Sequence, residues 1–207
     1  RLARETGVDL CFTPAADRIY RPGRRTEIHV TGLESRLEGA TRPTHYAGVA
    51  LVVLKLLHIV EPQVMILGQK DAQQALILER MVEDLDLPVK LVRGATRREP
   101  DGLAMSSRNV YLSPEDRRAA PVLHRALRAA RQAALAGERS AARLLALIRR
   151  EIAGEPRVRL DYAAVVNARS LEDLRRVEGR VLIPIAAYLG RTRLIDNEEF
   201  TVPGGRR

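Results

Sequence analysis

Two short stretches of this chain hold residue types that handle phosphate. Asp101-Gly-Leu-Ala-Met-Ser-Ser-Arg-Asn109 follows Gly68-Gln-Lys-Asp71 by some thirty residues. Adjacent Ser106 and Ser107 each offer an O–H donor, and Arg108 offers a planar fork whose N–H groups match phosphate oxygens in pairs. Asp101-Gly102 is a turn signal, so the group is expected on a mobile loop that folds over a polyphosphate. Met-Ser-Ser-Arg alone is weakly specific, and an ordinary solvated loop is an equally good reading of it. Upstream, Lys70 supplies a point charge for a phosphate. Asp71 suits ribose hydroxyls, or simply caps a helix. Gln73 and Gln74 fall in the first helical turn; a glutamine there is usually solvated, and one facing a cleft would hold a polar substrate through its amide.

The elements that must position these groups are legible nearby. Val64-Met-Ile-Leu67 is a short apolar run ending at Gly68, which reads as a buried strand. Leu76, Ile77, Met81, Val82 and Leu85 recur at helical spacing from Asp71 to Leu85, and Pro88 stops that helix. Val89-Lys-Leu-Val92 is a second strand. Strand, helix, strand at this spacing predicts a βαβ unit with parallel strands and a right-handed crossover. Gly68-Gln-Lys-Asp71 then lies at the carboxyl end of a strand and the start of a helix. Open α/β sheets bind ligands there, and free backbone N–H groups favour anions.

Five segments together resemble the pantothenate synthetase (pantoate–β-alanine ligase) family: Leu37-Glu-Gly-Ala40, Arg42-Pro-Thr-His-Tyr-Ala-Gly-Val49, Gly68-Gln-Lys-Asp-Ala-Gln-Gln74, Asp101 to Leu112, and Arg193-Leu-Ile-Asp-Asn197. They occur in the family's order and run nearly the length of the chain, which is far more specific than any one of them. The Met-Ser-Ser-Arg loop also resembles the second signature of the wider nucleotidyltransferase and class I aminoacyl-tRNA synthetase superfamily. The resemblance implies an α/β fold: a partial Rossmann-like nucleotidyltransferase domain followed by a smaller α+β domain. It implies an ATP-dependent, AMP-forming ligase that joins pantoate to β-alanine through pantoyl adenylate, releasing pyrophosphate, in pantothenate and coenzyme A biosynthesis. Lys70, Ser106, Ser107 and Arg108 match phosphate-binding, catalytic positions. Gly68, Gln69 and Asp71 match the ATP ribose side, and Met105 opens the loop and packs beneath it. Gln74 matches a pantoate-binding glutamine. Arg97 stands where a small apolar residue is usual and where the backbone meets adenine; such a contact survives the change. Thr44, Tyr46, Ala47 and Gln69 also depart from the commonest pattern, as ordinary variation. Arg42 and His45 serve the cleft or the structure equally well. Mg²⁺ is expected with ATP, held by phosphate and water, with no metal site on the protein. A homodimer is implied, with no nucleic-acid or membrane partner.

One family feature is not found. The His-x-Gly-His motif that serves adenylate formation has no counterpart, since His29, His45, His58 and His124 include no pair three apart. The chain begins at Arg1, and Arg1 to Val8 reads as a helix tail entering a strand Val8-Asp-Leu-Cys-Phe12. About two to three βα units of about thirty residues each are expected upstream. This predicts a fragment that is inactive alone. The alternatives are a truncated non-catalytic paralogue, a nucleotide-binding module, or another adenylate-forming nucleotidyltransferase; the last would keep the ATP loop but lack Gln74 and the Arg193–Asn197 segment.

Composition bounds the rest. At 207 residues, 45% hydrophobic and 3% aromatic with no Trp, the chain buries an aliphatic core. Its longest apolar run, Tyr46 to Val60, is interrupted by Lys55 and His58 and reads as a buried helix rather than a membrane span. Cys11 is the only cysteine and reads as a small core residue in the strand. A cytoplasmic enzyme is the default. The net charge of +9 is uneven: residues 1–96 carry 13 basic and 12 acidic side chains, residues 97–207 carry 22 and 14. Mixed with alanine on helices such as Arg117 to Arg131, the arginines read as a solvated face. A nucleic-acid binder would need exposed aromatics among them, and the chain has two Phe and five Tyr. A basic wall beside a cleft would instead attract ATP, pantoate and pyrophosphate.

The predicted organisation is a domain of residues 1–96, the remaining part of a Rossmann-like unit binding ATP and pantoate, and an α+β domain of residues 97–207 carrying the phosphate loop. In the latter, Ser113-Pro-Glu-Asp116 opens a helix that runs to about Ala136. A second helix covers Ala141 to Ala153. Strands follow at Leu160–Val166, Val181–Tyr188 and Thr192–Ile195, with a short helix capped by Ser170-Leu-Glu-Asp173 among them. Gly204 to Arg207 reads as a frayed tail.

Overall fold

Pairing of Val64 with Lys90 through Gly68 with Gly94 makes the first sheet, which is parallel as the βαβ pattern requires. The computed structural model describes residues 1–203; the tail reading for Gly204–Arg207 lies outside them. In chain order the elements are α1 (Leu2–Glu5), α2 (Ala16–Ile19), α3 (Glu38–Thr41), α4 (His45–Val60), β1 (Val64–Gly68), α5 (Ala72–Asp84) and β2 (Lys90–Gly94). Then come α6 (Pro114–Ala119), α7 (Val122–Leu135), α8 (Ala141–Ala153), β3 (Val158–Ala163), β4 (Val166–Asn167), β5 (Gly179–Leu189) and β6 (Thr192–Val202). The long strand β5 is the centre of the second, antiparallel sheet. It pairs with β6 on one side and with β3 and β4 in turn on the other.

Two aliphatic clusters form the core. One is made by α7 and α8 against the antiparallel sheet, with Leu127, Leu144, Ile148, Ile183 and Ile185 fully buried. The periodicity of both helices explains this: Leu123, Ala126, Leu127 and Ala130 share one face of α7, and Leu144, Ile148 and Ile152 share one face of α8. The second cluster joins α4 and α5 to Val166, Ala168, Leu171 and Leu182 of the antiparallel sheet region. The parallel unit is therefore packed onto the second sheet, and the β1–α5 turn faces β6.

Several local expectations are corrected. Residues 8–12 form no strand. Leu10 is 86% exposed and Cys11 is exposed too, because no neighbouring strand pairs with this segment among the described residues. The strand Val64–Gly68 is not buried on both faces; Ile66 is 71% exposed, since α4 and α5 cover only the other face. The helix His45–Val60 likewise buries Tyr46, Ala50, Leu51 and Leu57 while Ile59 and Val60 stay exposed. The helix opened by Ser113 is two helices. Ser113 Oγ accepts from Asp116 N at 3.1 Å as a cap, but Pro121 has no N–H and its ring crowds the carbonyl four residues back, so α6 ends and α7 begins there. Ser170 caps no helix. Its hydroxyl donates to the Glu172 carboxylate at 2.9 Å within a turn fixed by Asn167 Oδ1. Leu160–Val166 splits into β3 and β4. By contrast β6 runs on past Ile195 to Val202, because the polar residues Asp196 to Glu199 find partners that make them tolerable in a sheet.

Ile148→Ala should lower unfolding stability by about 2–5 kcal/mol, the cost of deleting a fully buried aliphatic side chain from a packed cluster. Urea unfolding followed by circular dichroism measures it; a loss well under ~1 kcal/mol would mean that α8 is not packed as described.

Candidate functional site

The carboxyl end of β1, the following turn and the loop after β2 meet the start of β6 around a cleft of about 380 Å³. One wall carries Lys70, Asp71 and Gln74; the other carries Met105, Ser106, Ser107 and Arg108. Two segments thirty residues apart are thus brought to one cavity. Gly68 and Gln69 precede the first wall and are not among the residues that line the cleft. Arg97 is exposed and also lies off the cleft, although its carbonyl accepts from Met105 N at 2.9 Å and so anchors the loop.

Each predicted residue has a definite setting. Lys70 lies in a 3-10 turn, Gln69–Asp71, and no carboxylate pairs with it among the described residues. Asp71 precedes α5 but makes no side-chain cap bond, so its carboxylate is left to the cleft and the capping reading fails. The two glutamines divide. Gln73 is buried and structural: its Nε2 donates to the carbonyls of Leu33 and Arg36, each at 2.8 Å, and its Oε1 accepts from Glu38 N at 3.1 Å. Gln74 faces the cleft. Ser106 Oγ accepts from Arg108 N at 3.2 Å and starts the 3-10 turn Ser107–Tyr111, which leaves its O–H free to donate elsewhere. Arg108 Nη1 donates to Arg193 O at 3.3 Å, and no acid neutralises the guanidinium among the described residues. Met105 is 49% exposed and does not pack beneath the loop as expected; Leu103 and Ala104, both buried, do that. Arg42 and His45 also line the cleft. Partial burial, and then the Arg42 charge, hold the His45 imidazole below its ordinary pKa and therefore neutral near pH 7.

Sequence reasoning flagged two further segments without assigning them roles. Glu38, in one, and Arg193, in the other, form a bidentate pair with distances of 2.6 and 2.8 Å, and Arg193 Nε also donates to Asp161 at 2.9 Å. Tyr162 lies beside them, with its hydroxyl pKa pushed up by burial and then by the Glu38 charge. Gly39 is required next to Glu38, since a Cβ there would overlap the Glu34 carbonyl. Asp196 and Asn197, in the second segment, are buried polar residues at the cleft floor. The signal for both was polar residues inside apolar surroundings, and it does not name their partners.

Among the described residues no group of three or more His, Cys, Asp or Glu is placed to hold a metal ion, and no helix is long and apolar enough to cross a membrane.

The model of the pantoate-beta-alanine ligase family matches residues 1–199. The chain belongs to that family. It is 48% identical over 196 residues to the pantothenate synthetase of Moorella thermoacetica, covering 95% of this chain and 69% of that one. It is 52% identical over 190 residues to the pantothenate synthetase of a Roseiflexus species, covering 92% and 68%. Its fold matches the crystal structure of pantothenate synthetase from Thermus thermophilus with a TM-score of 0.87 at 44% identity, over 95% of this chain and 71% of the other. It also matches the Francisella tularensis pantoate-beta-alanine ligase complexed with beta-gamma ATP and beta-alanine, with a TM-score of 0.69 at 31% identity, over 95% and 67%. The expected α/β architecture, a parallel unit followed by an antiparallel sheet with its own helices, is thereby shown.

The Glu38–Arg193 pair yields a pH-dependent prediction. Burial disfavours the Glu38 charge, but the Arg193 guanidinium outweighs it and holds the carboxyl below its usual range. Its contribution is therefore present above the ordinary carboxylate pKa and is lost as pH falls through the lower folded value. Arg193→Gln should destabilise by about 1–3 kcal/mol at pH 7, because the half-buried Glu38 is left without its cation. That deficit should begin to shrink as pH falls into the carboxylate range, because burial without the cation raises the Glu38 pKa and the variant takes a proton there before the wild type does. Thermal melts across pH 3–8 check the sign; a deficit that grew on acidification would contradict the pairing.

Proposed function

We propose that the sequence encodes the nucleotide cleft of an ATP-dependent ligase that condenses pantoate with β-alanine through pantoyl adenylate. The observation that carries this reading is the single cleft with uncompensated cations on both walls, Lys70 on one and Arg108 on the other, in a chain of this family. A polyphosphate between them would gain charge and hydrogen bonds without displacing a carboxylate from either cation. The ATP and β-alanine named for the Francisella ligase support the same substrates here.

Adenylation breaks the bond between the α- and β-phosphates. A pantoate carboxylate oxygen attacks the α-phosphorus, and pyrophosphate leaves with the charge. Lys70 and the Arg108 fork stabilise that growing charge, and the Ser106 and Ser107 hydroxyls donate to phosphate oxygens. Preorganisation matters more than strength, since donors already in place cost no rearrangement during the reaction. Gln74 holds the pantoate through its amide, and Asp71 accepts from ribose hydroxyls. Met105 borders the nucleoside, while Gly68, Gln69 and Arg97, outside the cleft lining, support the turn and the loop that hold it. In the second step the β-alanine amine attacks the acyl carbon, the C–N bond forms, and AMP departs.

Mg²⁺ fits the donor set as an ion carried by the phosphates. Glu38, Asp161 and Asp196 are each committed to an arginine, which leaves Asp71 as the carboxylate at hand. The ion would supply charge neutralisation on the phosphates, with water completing its shell. The reading includes residues 1–96 and 97–207 as the two functional units, a cytoplasmic homodimer, and no nucleic-acid or membrane partner.

Three measurements test it. In a polypeptide carrying the family's His-x-Gly-His segment ahead of this sequence, Lys70→Ala should slow pyrophosphate release by about 10²–10³-fold. A rate near wild type would remove Lys70 from the site. The Ser106→Ala, Ser107→Ala double variant should weaken ATP binding while leaving the melting temperature almost unchanged, since neither side chain belongs to a buried cluster. The 207-residue chain alone, given ATP, Mg²⁺, pantoate and β-alanine, should form no pantothenate. The sequence holds no His-x-Gly-His motif to complete the groups around the reacting centre, and catalysis needs all of them held in place. Sustained AMP and pantothenate formation by the isolated chain would overturn that part of the proposal.

A further inference from the structure

We propose that Asp196 and Asn197 are positioning residues that set the two walls of the cleft relative to each other, one residue for each wall. The proposal rests on reading that cleft as the ATP site. The two are consecutive in β6, and neighbours in a strand point to opposite sides. Both are nearly fully buried, at 3% and 4% exposure, an unusual place for an acid and an amide.

Asn197 serves the first wall. Its Nδ2 donates to Gln69 O at 3.0 Å and to Lys70 O at 2.8 Å, and its Oδ1 accepts from Gln69 Nε2 at 3.2 Å. Every polar function of the amide side chain is spent on the turn that carries Lys70. Asp196 serves the second wall through Arg98. The guanidinium fork meets its carboxylate at 2.7 and 3.0 Å, and Arg98 Nη1 donates onward to Gly102 O at 3.1 Å. Gly102 is where the Met105–Arg108 loop departs. Its φ of +94° and the His124 ring, 2.6 Å from where a Cβ would sit, leave its backbone little choice of path. The side chains line the cleft, but their polar atoms are already paired with protein. They therefore act on substrate only through Lys70 and the loop. A buried ion pair is a poor route to stability compared with well-packed hydrocarbon. Geometry is the better reason for it here, since a displacement of about 1 Å at a reacting centre costs about 10²-fold in rate.

Amide hydrogen exchange on the chain without nucleotide reads the arms separately. Asn197→Ala should speed exchange at residues 69–74 by roughly tenfold or more, the weight of two lost hydrogen bonds, while residues 101–109 keep wild-type rates. Arg98→Lys keeps the charge but loses the fork, and should do the converse. If Asn197→Ala does not fold, Asn197→Ser, which keeps a polar group in the buried site but is too short to reach the two carbonyls, takes its place. A uniform rise over the whole chain in the folded variants would make the pair a general brace and overturn the proposal. The second readout is ATP affinity by titration calorimetry. Asn197→Ala should weaken ATP about tenfold in the wild-type background and add nothing in the Lys70→Ala background, because it acts through Lys70. Full additivity would contradict the positioning role. A wild-type chain that binds no ATP would instead overturn the nucleotide reading of the cleft, and the exchange pattern would still decide the clamp.

Discussion

Buried charge in β6 must be matched, and the form of the cleft follows from how it is matched. A strand ordinarily carries hydrocarbon on a covered face. Here Arg193, Asp196, Asn197 and Glu199 occupy the strand that packs against the cleft, and each needs a partner. Arg193 takes Glu38 and Asp161, Asp196 takes Arg98, Asn197 takes the Gln69–Lys70 turn, and Glu199 takes Arg93, Gln69 and Arg180. Those partners come from α3, the β1–α5 turn, β2, the loop after it, β3 and β5. Satisfying one strand therefore ties six segments together beside one cavity. An unmatched member would cost several kcal/mol, a large share of the net stability of a domain this size.

The charges left unmatched are the complement of this network. Lys70, Arg108 and Arg42 line the cleft without an acid among the described residues, while Arg98 and Arg193 are committed to one and two carboxylates. The chain's large positive charge is therefore a poor guide to function, because most of it is spent on internal pairs or solvated helix faces. The informative cations are the few with no partner. An anion entering the cleft meets positive charge from both walls without having to break a protein ion pair first.

The local pattern in the sequence was enough to predict β1, α5 and β2, because strand and helix periods there are clean and Pro88 marks the break. It was also enough for α8, predicted with the bounds the structure has; the meeting of the Lys70 turn with the Ser106–Arg108 loop was implied by the family resemblance. It was not enough where the outcome depends on a distant partner. Val8–Phe12 has the composition of a strand, yet a strand needs a neighbour, and none pairs with it here. Ser170-Leu-Glu-Asp173 has the form of a cap, yet the backbone of Asn167–Leu171 is already held in a turn by the Asn167 side chain. Thr192–Ile195 looked like the whole of a strand because four polar residues follow it, and only the tertiary pairing of those residues lets β6 reach Val202. Gln73 and Gln74 are adjacent and chemically identical. Only the α5 face each occupies makes one a structural bracket and the other a cleft residue.

The central claim is that one polyphosphate lies between Lys70 and the Ser106–Arg108 loop. A crystal structure of this chain grown with ATP and Mg²⁺ tests it most directly. The account predicts phosphate density within hydrogen-bonding reach of Lys70 Nζ on one side and of the Ser106 and Ser107 hydroxyls and the Arg108 guanidinium on the other. The Glu38–Arg193 and Asp196–Arg98 pairs should remain unbroken. Nucleotide bound elsewhere, or phosphates held by Arg193 or Arg98 after release of their carboxylates, would contradict it.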